Sequence, residues 1–285
     1  MKTKPQTAII RIVCPDQKGL VARFAGFLAN HGLNILDSED HGEDGIFFQR
    51  IAVDIVDINI SFAIFENLLA KECAKISGTC EVLYSHRPKQ VAIFVSRESH
   101  CLYELLIEHE RGDVPGDISL VISNHRDLEN VAKHFDIPFY YFPIETKNKA
   151  AQERKEIALL RSHNIDLVVL ARYMQILSPK FVRAFQEKII NVHHSFLPAF
   201  PGKNPYAQAY ARGVKNIGAT AHYVTKVLDD GAYICQETVP CTHRDTPADL
   251  KHKGRHVERR ALLLAVTAHL EGRLFVSNGK RVIEL

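Results

Sequence analysis

Three segments of this sequence carry residues able to do acid–base or acyl chemistry. The first is Ile190-Asn191-Val192-His193-His194-Ser195, running into Phe196-Leu197-Pro198-Ala199-Phe200-Pro201-Gly202. An apolar strand would present Asn191 and His193 on one side, because alternate strand residues share a face, and would turn His194 the other way. An asparagine amide is a neutral donor for an oxygen that becomes negative during a reaction. A histidine beside it can donate to the same oxygen or carry a proton. The second segment is Gly218-Ala219-Thr220-Ala221-His222, followed by Leu228-Asp229-Asp230-Gly231. A carboxylate there could orient a histidine and a water molecule and raise the histidine's proton affinity. The third is Leu170-Ala171-Arg172-Tyr173-Met174-Gln175-Ile176-Leu177-Ser178-Pro179. It lies just past an apolar strand, where open α/β sheets place ligands. Each segment alone also has a plain structural reading. A strand histidine packs, an aspartate serves its turn, and Ser178-Pro179 caps a helix.

The elements that must hold these residues follow from periodicity. Residues 8 to 14 alternate and are rich in Ile and Val, which predicts a strand. Leu20, Phe24, Phe27 and Leu28 recur at helical spacing, and His31-Gly32 closes that helix. Apolar segments at 33 to 40 and 46 to 55 flank a turn at Glu43-Asp44-Gly45. Phe62, Phe65, Leu69 and Ile76 make a second helical stripe before a strand at 79 to 84. The order is βαββαβ, a unit that supports a small two-layer domain of ferredoxin-like type. The apolar pattern stops at Ser85-His86-Arg87-Pro88-Lys89-Gln90, which reads as a linker. Domain bounds of 1–85, 86–90 (linker) and 91–285 follow.

Beyond the linker, strands and helices alternate. Val91–Val95, Ile118–Ile122, Pro138–Phe142 and Ile165–Ala171 read as strands. Helices are expected from Leu102, over Asp127–Phe135, and over 149 to 163, the last with Glu153 and Glu156 facing solvent. A long helix over 246 to 271 precedes a strand-like piece, Leu274–Val282. The whole predicts an α/β chain, its second part a doubly wound, mostly parallel, Rossmann-like sheet.

Composition excludes several classes. Apolar residues make up 46% of 285, enough to bury a real core, so wholesale disorder is excluded. A net charge of +3 without a long Lys/Arg run gives no basis for a nucleic-acid partner. No stretch reaches the roughly 20 apolar residues of a membrane span. Residues 1 to 7 are polar and lack a signal-peptide core. Cys14, Cys73, Cys80, Cys101, Cys235 and Cys241 show no C-x-x-C spacing and read as buried thiols in a reducing compartment. A cytoplasmic location is the expectation.

Taken together and in order, the Asn-x-His pair with its Leu-Pro extension, the Gly-x-x-x-His stretch and the Leu-Asp-x-Gly turn resemble the formyltetrahydrofolate-dependent formyltransferase family, from about residue 91 to 275. The resemblance implies a catalytic trio of Asn191, His193 and Asp229. It also implies a folate-binding loop with Met174, Gln175, Ile176 and Leu177, aided by Thr220 and His222. The first 85 residues resemble an ACT domain, which implies amino-acid sensing through Asp16, Gly19 and Asn34 at a subunit interface. An ACT module before a formyltransferase module is similar to the formyltetrahydrofolate deformylases. That pairing implies hydrolysis of 10-formyltetrahydrofolate to formate and tetrahydrofolate, supplying formate for purine synthesis and balancing the one-carbon folate pool. No cofactor and no metal are implied, the folate being the substrate. A homo-oligomer is expected: dimer, tetramer or hexamer.

Three rival readings stand beside it. The chain could be a transferase onto an amine acceptor. Against this, related transferases for phosphorylated amines carry a Gly-rich turn after the first strand of this domain. Here Ser96-Arg97-Glu98-Ser99-His100 stands there, and Glu98 would repel a phosphate. It could be a folate-binding sensor without turnover, or a zinc hydrolase using His193, His194 and His222.

Overall fold

The computed structural model describes residues 6–144, 148–199 and 204–285. The start of the chain (1–5) and the Phe200-Pro201-Gly202 part of the proline-rich loop lie outside them. The chain divides into two compact units. One comprises residues 1–88 with 271–275 and 283–285; the other comprises 89–270 with 276–282.

The first unit contains β1 (Thr7–Pro15), α1 (Leu20–Asn30), β2 (Asn34–Glu43), β3 (Ile46–Asp54), α2 (Phe62–Ala74) and β4 (Thr79–Tyr84). Its sheet has the order β2-β3-β1-β4 and is antiparallel throughout. Ala8, Ile10, Ile12 and Cys14 of β1 alternate inward. They meet Phe24 and Leu28 of α1 and Phe65 and Leu69 of α2 in one core. Each such large, fully buried side chain contributes roughly 1.5–3 kcal/mol. β2, expected as an apolar segment, is exposed nearly along its whole length. It forms one edge of the sheet, paired only with β3, and Ile35 and Leu36 stand outside the core.

Residues 271–275 pack with this unit, whereas the sequence reading gave everything after 91 to the second domain. The reason is local chemistry. The Arg11 guanidinium donates to Leu274 O and lies over the Phe275 ring, which meets the Phe48 ring edge-on.

The second unit opens with β5 (Lys89–Val95), α3 (His100–Arg111), β6 (Gly116–Ser123), α4 (Glu129–His134), β7 (Phe139–Tyr141) and α5 (Lys149–Ser162). It continues through β8 (Leu167–Leu170), α6 (Pro179–Ala184), β9 (Ile189–His193), α7 (Pro205–Arg212), β10 (Asn216–Tyr223), β11 (Tyr233–Pro240) and α8 (Pro247–Leu270). The strand-like piece at the end is a hairpin, β12 (Leu274–Ser277) and β13 (Arg281–Glu284). The seven-stranded sheet has the order β11-β10-β9-β8-β5-β6-β7. Its strands β7, β6, β5, β8 and β9 run parallel, and β10 and β11 are antiparallel additions. The doubly wound, mostly parallel α/β fold is therefore present. Its topological switch lies between β5 and β8, where the chain leaves one side of the sheet for the other.

Two expectations need correction. Glu153 and Glu156 do not face solvent but are buried. Glu153 accepts the Ser178 N–H at 2.9 Å, and Glu156 accepts from Gln152 at 2.9 Å. Burial pushes the Glu156 carboxyl up. None of the six cysteines is in a disulfide, and Cys80 and Cys235 are only half-buried. Among the described residues, no helix is long and apolar enough to cross a membrane.

Candidate active site

At the C-terminal ends of β8 and β9 an open cleft of about 290 Å3 is lined by Arg172–Leu177, Asn191–His194, His222 and Val224–Asp229. The loop after β8 is anchored at three points. The Met174 N–H donates to Ser96 Oγ at 3.1 Å, and Ser96 in turn donates to Asn124. Lys149 donates to Ile176 O, and the Ser178 N–H is held by Glu153. Met174 and Ile176 are left more than half exposed at the rim, with Val227 and Leu228 also exposed on the segment before Asp229.

β9 and β10 pair antiparallel, with Asn191 opposite His222 and His193 opposite Thr220. The His222 Nδ1 lies 2.9 Å from Tyr223 O. A carbonyl only accepts, so Nδ1 carries the proton and Nε2 presents a lone pair. Asn191 Nδ2 donates to that lone pair at 3.2 Å. Burial disfavours the imidazolium and holds the His222 ring neutral.

Asp229 sits in a turn at φ 57°, a left-handed conformation. Gly231, two residues on, packs against the main chain of Tyr223. A Cβ there would lie 1.6 Å from Tyr223 O, so the turn admits only glycine. Asp229 Oδ2 is 3.2 Å from His193 Nδ1, and Oδ1 is 3.7 Å from His222 Nε2. Burial works to raise the Asp229 carboxyl, but the hydrogen bond and charge of His193 outweigh it and leave it below its usual range. With Nδ1 turned to Asp229, His193 keeps Nε2 without a hydrogen-bond partner among the described residues. That nitrogen is buried and is not committed to another side chain. Asn191, His193 and Asp229 thus form one constellation: an amide donor, a histidine and the carboxylate behind it.

Residues 89–266 match the formyl transferase family and residues 8–61 the ACT domain. A formyltetrahydrofolate deformylase of Bacillus subtilis is 44% identical over 275 residues, 95% of this chain and 92% of that protein. The chain belongs to the formyltetrahydrofolate deformylase family. The crystal structure of the Pseudomonas syringae deformylase superposes with a TM-score of 0.96 at 38% identity, covering 100% of this chain and 96% of the other. A glycinamide ribonucleotide transformylase from Symbiobacterium toebii superposes with a TM-score of 0.65 at 31% identity, covering 70% of this chain and 95% of that one. The Pseudomonas deformylase therefore matches both units, whereas the transformylase leaves part of the chain without a counterpart.

Within this deformylase-family chain, Met174, Gln175, Ile176, Leu177 and His222 line the cleft as well as the trio. Thr220 does not; it is fully buried and belongs to the wall behind. Its hydroxyl donates to Ser195 O and accepts from Leu197 N–H and Gln236 Nε2, each at 3.0 Å. It clamps the start of the proline-rich loop to the sheet. His194, expected to point away, also lines the cleft, because β9 ends at His193 and strand alternation stops there. The rings of His193 and His194 lie 5.2 Å apart. Burial, then the Arg172 charge, pushes His194 down to about 4.

His193, His194 and His222 do not converge on a common metal position. Among the described residues the only grouping tight enough for an ion is His100, Cys101 and Glu258. Arg172 and the apolar pair Val227-Leu228 were missed by sequence reasoning. The pair was legible as an exposed apolar step next to a carboxylate. In the first unit, Gly19 opens α1 at φ 88° with no side-chain cap, Asp16 is exposed beside Gly42, and Asn34 is exposed at the start of β2.

Proposed function

We propose that the chain hydrolyses 10-formyltetrahydrofolate to formate and tetrahydrofolate, with Asn191, His193 and Asp229 carrying the reaction. The observation that supports this most is His193, which lines the cleft with Asn191, turns Nδ1 to Asp229 at 3.2 Å and keeps a buried Nε2 without a partner among the described residues. Water adds to the formyl carbon, and its lost proton passes to the Asp229–His193 pair. The carbonyl oxygen gains the negative charge, met by the Asn191 amide. Collapse breaks the carbon–nitrogen bond, and the proton returns to the leaving nitrogen. Formic acid and the secondary amine result, and the acid ionises to formate. The exposed apolar rim suits the flat ring of the substrate.

Glu98 supports water rather than an amine acceptor. It stands two residues before α3 and engages Lys251 at 2.8 Å and Arg255 at 3.2 Å. The cations that could hold a phosphorylated acceptor there already face a carboxylate of the chain itself. No resident cofactor enters this reading, and the setting is the cytoplasm, where formate release serves purine synthesis and the balance of the folate pool. The N-terminal unit assembles a homo-oligomer and takes an amino acid, its carboxylate on the free N–H groups of α1 at Gly19 and its ammonium near Asp16 and Asn34.

The test is direct. Pure protein with 10-formyltetrahydrofolate alone yields formate and tetrahydrofolate in equal amounts. Product only on addition of an amine makes it a transferase, and binding without any product makes it a sensor. Light scattering of the intact chain tests assembly. Loss of an amino-acid response in Asp16→Ala and Asn34→Ala tests sensing.

A further inference from the structure

The cleft has two ends of different chemistry. At its rim Met174, Ile176, Val227 and Leu228 are each about 60% exposed and apolar, whereas Arg172 is only 8% exposed. Arg172 lines the same cleft as His193 and His194, whose rings lie 5.2 Å apart, and it is buried where the rim residues are not. Its backbone takes φ 63°, a left-handed conformation that a side-chain-bearing residue adopts at a cost of order 1–3 kcal/mol unless its surroundings fix it.

Glu258, 1% exposed on α8, holds the side chain that leaves this backbone. Its Oε2 lies 3.4 Å from Arg172 Nε and accepts from His100 Nε2 at 2.7 Å, and its Oε1 accepts from the Tyr206 hydroxyl. Partners from α3, α7 and the loop after β8 therefore meet on one carboxylate. Gly254, one turn earlier on α8, makes the approach possible, because a Cβ there would lie 2.0 Å from the Tyr206 hydroxyl oxygen. Burial alone would raise the Glu258 carboxyl; His100, Arg172 and Tyr206 instead bring it down to about 2. The carboxylate stays charged and spends its contacts on the Nε side of Arg172. Arg172 Nε is buried and makes this ion pair without a hydrogen bond, so Glu258 does not use up the donors of the guanidinium.

We propose that Arg172, positioned by Glu258, is the carboxylate-binding residue at the inner end of the cleft and holds the formate that the reaction leaves there. The inference rests on the hydrolytic reading above. The terminal nitrogens form a planar fork that matches a carboxylate. The anion generated at the reacting carbon is the one that arises beside His193 and His194. The substrate's own tail carboxylates are the other source of the same chemistry, and they must leave past the apolar rim. Glu258 is a positioning residue here, since it reaches the anion only through Arg172.

Binding of 13C-formate to the protein without folate tests the proposal independently of turnover. Wild type is expected to give a saturable titration by NMR. Arg172→Gly, whose backbone suits φ 63°, is expected to weaken formate binding by about tenfold or more, the loss of one charge-assisted pair. Arg172→Lys is expected to recover part of it. Glu258→Gln is expected to fall between, with circular dichroism confirming the fold of each variant. No saturable binding by wild type, or equal binding by wild type and Arg172→Gly, overturns the proposal. So does a variant in which formate binding is unchanged and the KM for 10-formyltetrahydrofolate rises, which would place the tail carboxylates on Arg172. Formate binding lost in Arg172→Gly with no hydrolysis by wild type would sink the hydrolytic reading alone.

Discussion

The amide of Asn191 and the ring of His222 face each other across the β9–β10 pair, Nδ2 3.2 Å from Nε2. His222 is already committed to Tyr223 O through its other nitrogen, so this contact fixes which way the Asn191 amide points. Replacing His222 by Phe keeps the bulk and removes the acceptor. Turnover is expected to fall by up to about a hundredfold, the order a small misplacement of a reacting group costs, with a smaller change in KM. Equal kcat in variant and wild type, measured by formate release, would show that Asn191 needs no such tether.

Asp229→Asn keeps the size of the side chain and removes the charge behind His193. The expected loss in kcat is about a hundredfold or more, the usual contribution of general acid–base catalysis, with folate binding retained. Asp230, next to it and exposed, is the control. Comparable losses in Asp229→Asn and Asp230→Asn would reassign the carboxylate.

Thr220 separates a structural from a binding role. Thr220→Val deletes a hydroxyl that serves Ser195 O, Leu197 N–H and Gln236. Leaving those buried groups unpaired costs about 1–3 kcal/mol, so urea unfolding is expected to shift while KM changes little. A raised KM with unaltered unfolding would return Thr220 to the substrate.

Acid is expected to weaken the fold in two windows. His194 has an ordinary value of 6.5 and is held at about 4 when folded. Between those values the unfolded chain takes a proton that the folded chain refuses. Stability is therefore full above about pH 6.5 and falls as pH drops toward 4. The slope approaches about 1.4 kcal/mol per pH unit for one proton. His222, also lowered, adds in the same sense. Glu258 is lowered from 4.5 to about 2, and its contribution is lost only below about pH 4.5. Unfolding of wild type and His194→Asn at about pH 7.5, 6.5, 5.5 and 4.5 checks this. The variant is expected to show a shallower slope in the upper window, and identical slopes would refute the assignment.

Much of this was legible in the sequence because it is periodic or local. The alternation along β1, the apolar run Val91–Val95 and the helical stripes marked elements that the structure contains. What periodicity does not encode is the distant partner. Glu153 and Glu156 read as solvent-facing because polarity alone was visible, yet Glu153 serves Ser178, 25 residues away. Glu258 was one acid on a long helix until α3, α7 and the loop after β8 converged on it. Thr220 sat in a motif, but its three bonds come from strands and loops that only the fold brings together. The departure of residues 271–275 to the first unit depends on Arg11, whose partner Leu274 is 263 positions further along the chain.

The cross-strand pairing of Asn191 with His222 also sets what this lineage can vary. Both residues are held by the main-chain ladder, so the site exists as an alignment between two strands more than as a set of side chains. Substitutions within β9 or β10 leave that alignment intact. Adding or removing one residue inside either strand would turn every later side chain to the opposite face and part the two. Length changes should accordingly accumulate in the loops that follow β8 and β10, and the strands themselves should keep their residue count even where their composition drifts.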